Sequence, residues 1–176
     1  MTGPGTLPWQ PAFDDLVAAP VAVALRLCSR ASDVLAAPID PDVADTAAFC
    51  ERYGVELLDC ANCVVIAGRR GEVTTYAACV VLATTRADVN GIVRRRLQAR
   101  KASFAAMQDA VDLSGMQFGG ITPLGLPTAW PVLVDVAVVS RSTVVIGSGL
   151  RRSKLALPAA VLADLPASEV IEGLAS

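Results

Sequence analysis

The sequence predicts one α/β domain, α+β in type, built on a twisted mixed β-sheet of about six to seven strands with helices around it. Three observations carry this expectation. The chain has 176 residues, which suits one domain, and a chain of that size buries about 70% of its unfolded surface without needing crosslinks. Hydrophobic residues make up 53% and aromatic ones only 5%, so the core must be Val, Leu, Ala and Ile, the palette of helices packed on a sheet. β-rich runs and capped helical segments alternate without an internal repeat, and hairpins among them argue against a doubly wound fold.

Taken in order, Met1–Pro11 holds three Pro and two Gly and reads as a loose tail. One or two helical segments follow over Phe13–Leu35, with Pro20 suited to a helix start. Pro38-Ile39-Asp40-Pro41 is a break, so residues 1–41 read as an N-terminal tail and helical extension, and 42–176 as the main domain. Asp42 is placed to cap a short helix through Tyr53, and Gly54 supplies a left-handed exit. Cys60–Ala67 and Val73–Ala83 are strands, separated by the hairpin signal Gly68–Glu72. Asp88 caps a helix with Val89, Ile92, Val93 and Leu97 on one face and Arg94, Arg95 and Arg96, followed by Arg100, on the other. A short strand at Ser103 and a helix over Ala106–Leu113 lead to Gly115. Strands are expected at Val132–Val139, Thr143–Ile146, Ser153–Leu157 and Glu169–Ile171, with a helix at Pro158–Asp164.

Composition narrows the function. The longest apolar run, Leu16–Leu27, is broken by Pro20 and Arg26 and falls short of the ~20 residues of a membrane span. Asp14 and Asp15 upstream argue against a signal peptide, so a cytoplasmic protein without membrane contact is expected. The five cysteines then read as reduced thiols. Cys60 and Cys63 have CxxC spacing but no second pair completes a zinc site, and on a strand they point to opposite faces. No metal and no cofactor is expected. The chain has no histidine, which removes Ser-His-Asp and Cys-His catalysis. Charge is uneven: residues 1–60 hold three Arg against nine acids, residues 61–176 twelve Lys/Arg against eight. The basic part can meet a polyanion, or it can be a solvated face.

The densest signal is Gly115–Pro127, with four glycines and two prolines in thirteen residues. Gly permits positive φ and close ligand approach, and Pro fixes the exit. Such a loop can aim successive N–H groups at one point, as an oxyanion hole does; it can equally be a turn between helix and strand.

Gly119-x-x-x-Pro123 resembles the GxxxP loop of the YbaK-like and prolyl-tRNA editing-domain family. The wider pattern of that family, Gly, then Gly-Gly-hydrophobic-Ser/Thr-Pro-x-Gly, then a strand with Asp, is similar to Gly115 through Asp135 in order. Lys101–Ala105 and Gly147-Ser148-Gly149 followed by Arg151, Arg152 and Lys154 agree with it, and the likeness runs over about residues 42–174. The resemblance implies a YbaK-like fold and a trans-editing aminoacyl-tRNA deacylase, a hydrolase that cleaves the ester of mischarged tRNA with water assisted by substrate hydroxyls. The loop residues Gly119, Gly120, Thr122 and Pro123 would carry that chemistry. The partner implied is the acceptor end of aminoacyl-tRNA, with a synthetase as a further partner and no DNA.

The family has a Lys, in a motif resembling Ala-Lys-Thr, where this chain has Asn62. Asn offers hydrogen bonds but no charge, so the implied alternatives are a deacylase that places its amino acid differently and a binding module of the same fold without the chemistry. Substrate contacts are expected from Asn62, Lys101, Asp135, Gly147, Ser148 and Gly149. Asp135, in an apolar strand, is read first as a structural carboxylate and second as a contact for the α-amino group. Phosphate contacts are expected from Arg94, Arg95, Arg96, Arg100, Arg151, Arg152 and Lys154. Ser148 and Thr122 have no base beside them in sequence and are not read as nucleophiles; Trp9 and Trp130 read as packing residues.

Overall fold

The computed structural model describes residues 3–12 and 14–176; the parts of the tail and helix expectations that fall on Met1, Thr2 and Phe13 lie outside the described residues. The organising element is a long hairpin, β3 (Ala61–Arg70) and β4 (Val73–Leu82), closed by a turn at Gly71 with φ 61°. Nothing lies within 4 Å of a Cβ built there, so the positive φ alone calls for Gly. Around the hairpin a five-stranded sheet assembles in the order β5-β3-β4-β6-β9, with β5 (Lys101–Phe104), β6 (Val132–Asp135) and β9 (Ser168–Ile171). It is mixed: β3 runs antiparallel to β4 and β5, whereas β6 runs parallel to β4 and β9.

A second sheet, four-stranded and antiparallel, has the order β1-β2-β8-β7, from β1 (Gln10–Pro11), β2 (Leu35–Pro38), β7 (Thr143–Gly147) and β8 (Ser153–Pro158). The strands thus divide between two sheets instead of forming one of six to seven. The leading segment is part of this layer: Leu35 pairs with Ala156 and Pro38 with Ser153, and two residues of the supposed tail form β1. The sheets approach each other where Cys60 forms an isolated bridge with Val145.

Helices close the layers. α1 (Ala19–Leu27) has Pro20 in its first turn and lays Val21, Ala22 and Leu25 into the largest core cluster, beside Val134, Ile146 and Leu157. α2 (Thr46–Tyr53) is capped by Asp45, whose carboxylate accepts from the amides of Ala47 and Ala48, and exits through Gly54 at φ 65°. The cap is Asp45 and not Asp42, because Asp40-Pro41 makes its own short 3-10 turn, to which Asp42 belongs. Asp88 accepts from the amides of Gly91 and Ile92 and starts a π-helical turn, Val89–Val93, that runs into α3 (Arg94–Arg96). α4 is Met107–Ser114, ending at Gly115 with φ 67°.

The expected strand Val132–Val139 is a strand only to Asp135. The Asp135 carboxylate accepts from the Ala137 amide at 2.8 Å and starts a helical turn, α5 (Val136–Val139). An N-cap thus overrides three valines whose side chains favour strands.

Candidate functional site

The two glycine loops pack against one another. Gly149 donates to the Gly120 carbonyl at 2.7 Å, and Gln117 donates to the Gly149 carbonyl at 2.8 Å. The contact admits no side chains: a Cβ on Gly147 would lie 2.3 Å from the Gly120 carbonyl oxygen, and one on Gly120 2.5 Å from the Leu150 backbone. Gly119 differs. Its φ is 81°, and the atom nearest a Cβ there is Nη1 of Arg151 at 2.7 Å, the end of a flexible side chain. Gly120 and Gly147 therefore serve packing, while Gly119 serves backbone conformation.

These loops form one wall of a cavity of about 740 Å³ at the junction of the two sheets. Gly119, Ile121 and Gly147 line that wall; Cys60 and the first residues of β3, through Val65, also line the cavity. The base of α2 and the residues before it supply Asp42, Ala44, Asp45, Thr46 and Phe49, and Phe104, Met107 and Phe118 stand on the rim with much of their apolar surface exposed.

Of the residues singled out in the sequence, Gly119, Asn62, Gly147, Arg151 and Lys154 share this cavity. Asn62 is half-buried, and its carbonyl oxygen accepts from the Thr46 hydroxyl at 2.8 Å. Arg151 spans the cavity mouth: its guanidinium donates to the Pro41 carbonyl at 3.0 Å and the Phe118 carbonyl at 3.3 Å. Lys154 does not lie on a phosphate-facing surface. It is buried, its ammonium donating to the Ala44 carbonyl at 3.0 Å, and burial lowers its pKa, with the charge of Arg151 acting in the same direction and that of Asp45 in the other.

The other residues stand behind or outside the wall. Thr122 is fully buried, and its hydroxyl has no hydrogen-bond partner among the described residues. Pro123 borders a separate apolar groove of about 530 Å³ beside α1. Ser148 is buried and bonded to the Ser153 hydroxyl at 2.7 Å. Asp135 accepts at its second oxygen from the Ala175 amide at 2.8 Å, tying down the C-terminal segment, and does not line the cavity. Lys101 lies at the far end of β5 from Phe104, paired in register with Arg69. Arg95, Arg100 and Arg152 are exposed; Arg94 bonds the Asn90 carbonyl at 2.7 Å, and Arg96 is 2.6 Å from Glu169. Trp130 is buried and stacked on Tyr76, with ring centroids 5.2 Å apart.

The two cysteines that line the cavity, Cys60 and Cys63, offer no ready nucleophile. Cys60 and Cys63 pack against different clusters, and burial pushes both thiols well above their ordinary range and Cys79 up to about 12. The residues that sequence reasoning missed are Asp45, Thr46, Phe49, Phe104 and Phe118. Asp45 carried a visible signal, three residues from the expected cap; the others depend on pairing between distant segments.

A single α/β domain with a glycine-walled cavity between two sheets is the class this geometry defines. Residues 40–165 match the family model of the aminoacyl-tRNA editing domain, and the chain belongs to that family. Solved structures share the fold. A proposed trans-editing enzyme for prolyl tRNA synthetase aligns with TM-score 0.73 and 19% identity, over 87% of this chain and 93% of that one. The hypothetical protein APE2540 aligns with TM-score 0.74 and 18% identity, over 88% and 99%. A protein from work on epitope backbone grafting onto scaffolds aligns with TM-score 0.74 and 19% identity, over 88% and 95%. No curated protein sequence matches the chain. Among the described residues no helix is long and apolar enough to cross a membrane.

Proposed function

We propose that this protein hydrolyses, in trans, the ester that joins a wrongly attached amino acid to the terminal ribose of tRNA. The observation that carries the reading is Gly119: a backbone turn at φ 81°, free of a side chain, on the wall of a cavity large enough for an aminoacyl-adenosine end. Family membership supports the same substrate class. Gly119 presents the loop backbone to the ester, and Gly120, Thr122 and Pro123 hold the loop in shape. Water attacks the carbonyl carbon, the bond to the ribose oxygen breaks, and the water's proton ends on that oxygen. An aminoacyl ester is activated, so loop amides and a substrate hydroxyl suffice without a histidine. Asn62, and the carboxylates of Asp42 and Asp45 on the rim, face the amino-acid end; exposed Phe104 and Phe118 offer stacking surfaces to the terminal base.

Asn62 itself favours a second reading, a binding module of the same fold, since its oxygen is held by Thr46 and it brings no charge. Incubating the pure protein with a panel of mischarged tRNAs separates the two. Release of amino acid from at least one tRNA, lost in Gly119→Ala, is the expected result. Binding without release across the panel would overturn the enzyme reading in favour of the module.

A further inference from the structure

Lys154 is the only buried basic side chain among the described residues. It stands on β8 between Ala37 of β2 and Gly147 of β7, neighbours too small to cover its stem, and it reaches the base of α2. There the ammonium donates to the Ala44 carbonyl at 3.0 Å and lies 5.3 Å from the centre of the Phe49 ring. Among the described residues no carboxylate comes within 4.0 Å of its nitrogen. Asp45, the nearest candidate, is engaged in capping α2. The thiols of Cys50 and Cys60 lie 3.4 Å from one another, and burial keeps both protonated.

An ammonium has three donors, and one is used. Ala44, Phe49 and Cys60, which surround it, all line the cavity with it. A buried cation without a counter-ion is costly, and an anion that arrives with the ligand offsets that cost. Lys154 is 6% exposed and lines the cavity, so a backbone phosphodiester is held away from it by its own bulk, while a small group can approach through the cavity.

We propose that Lys154 makes the floor of this cavity a recognition point for an aminoacyl group whose side chain ends in a carboxylate. The inference rests on the reading of the cavity as an aminoacyl-ester site. With the side-chain carboxylate on Lys154, the α-ammonium of the same group faces the exposed carboxylate of Asp42, which also lines the cavity, so each of the ligand's two charges meets an opposite charge. A neutral isostere keeps the shape but gains only a neutral hydrogen bond, a difference worth about tenfold in affinity.

The test uses adenosine analogues in which a 3′-amide replaces the ester, so that nothing is cleaved, carrying aspartyl, asparaginyl, seryl or alanyl groups. Binding is measured by calorimetry to the native protein and to Lys154→Met, whose unbranched side chain retains the cavity shape. The native protein should prefer aspartyl over asparaginyl by about tenfold, and Lys154→Met should bring that ratio close to one. An equal ratio in the native protein, tightest binding of the alanyl analogue, or no binding of any analogue overturns the proposal, whether or not the variant folds. A preference that persists in Lys154→Met overturns it as well. Parallel incubation with aspartyl- and alanyl-charged tRNA keeps the two readings apart. Aspartyl-selective binding without hydrolysis refutes the deacylase and leaves Lys154 in its role. Hydrolysis that favours alanyl-tRNA does the reverse.

Discussion

Gly119 and Gly120 are adjacent, and the same substitution at each has different physical consequences. A methyl group on Gly120 meets the Leu150 backbone at 2.5 Å, which cannot move without parting the two glycine loops. Overpacking of that kind costs about 1–3 kcal/mol or more. A methyl group on Gly119 meets only the guanidinium of Arg151, which can swing aside, so its cost is the left-handed φ, roughly 1–2 kcal/mol. At about 2–4 °C per kcal/mol for a chain of this size, Gly119→Ala should melt a few degrees below the native protein and Gly120→Ala lower still. If the loop backbone receives the ester as proposed, deacylation by Gly119→Ala should fall by at least about tenfold, because the substitution disturbs the backbone at φ 81° on the cavity wall. Melting curves beside single-turnover hydrolysis check both claims. A Gly119→Ala protein with native hydrolysis would show that the loop is only a turn. That these glycines mattered was visible in the sequence, since a need for positive φ or close approach is written as Gly itself. Which of them packs and which faces the cavity was not, because that depends on Leu150 and Arg151 arriving from β7–β8.

At the level of elements, the hairpin β3–β4, the Asp88 cap and the exit at Gly54 were legible because each is a local device. The cap at Asp135 was hidden within an apolar, β-branched run, where local propensity favours a strand and one carboxylate decides otherwise. Asp135 joins three elements: it ends β6, starts α5 and holds the C-terminal segment through the Ala175 amide. Removing it leaves two amides without their acceptor, at about 1–3 kcal/mol. Asp135→Ala should therefore lower the denaturant midpoint with an unchanged slope, and Asp135→Asn, which retains one carbonyl oxygen, should fall between. Substrate affinity of the folded fraction should stay at the native value. A large loss of affinity at native stability would instead put Asp135 in contact with substrate. Lys154 eluded the sequence for a different reason. It follows Arg151 and Arg152 and reads as a third surface charge, and only its register between Ala37 and Gly147 turns it inward.

Over the whole molecule, the cavity exists because the chain makes two sheets, and long-range pairing makes them: β2, near the start of the chain, lies on β8, near its end, and β6 lies on both β4 and β9. No local pattern announces such pairing, so a single sheet was the natural expectation and the junction could not be foreseen. The arrangement also places charge. β5 is an edge strand whose Phe104 end stands on the cavity rim, while its Lys101 end pairs with Arg69 and adjoins exposed Arg70 and Arg100. A basic edge thus leads away from the cavity mouth, in the direction a nucleic-acid strand would follow if its last nucleotide stacked at Phe104. Each phosphate neutralised on such an edge releases condensed counterions, so the logarithm of affinity should fall linearly with the logarithm of salt, by about 0.7–0.9 per contact. Changing Arg69, Arg100 and Lys101 together to Ala should weaken aminoacyl-tRNA binding and reduce that slope by about two to three. Binding of an aminoacyl-adenosine analogue, which carries no phosphate, should depend on salt far less steeply and should be unaffected by the triple substitution. Filter binding of tRNA at several salt concentrations, beside calorimetry with the analogue, measures both. If the tRNA slope is unchanged in the triple variant, the acceptor stem leaves the cavity by another path. If native tRNA binding shows no salt dependence at all, the cavity serves a small ligand and the basic edge is a solvated face.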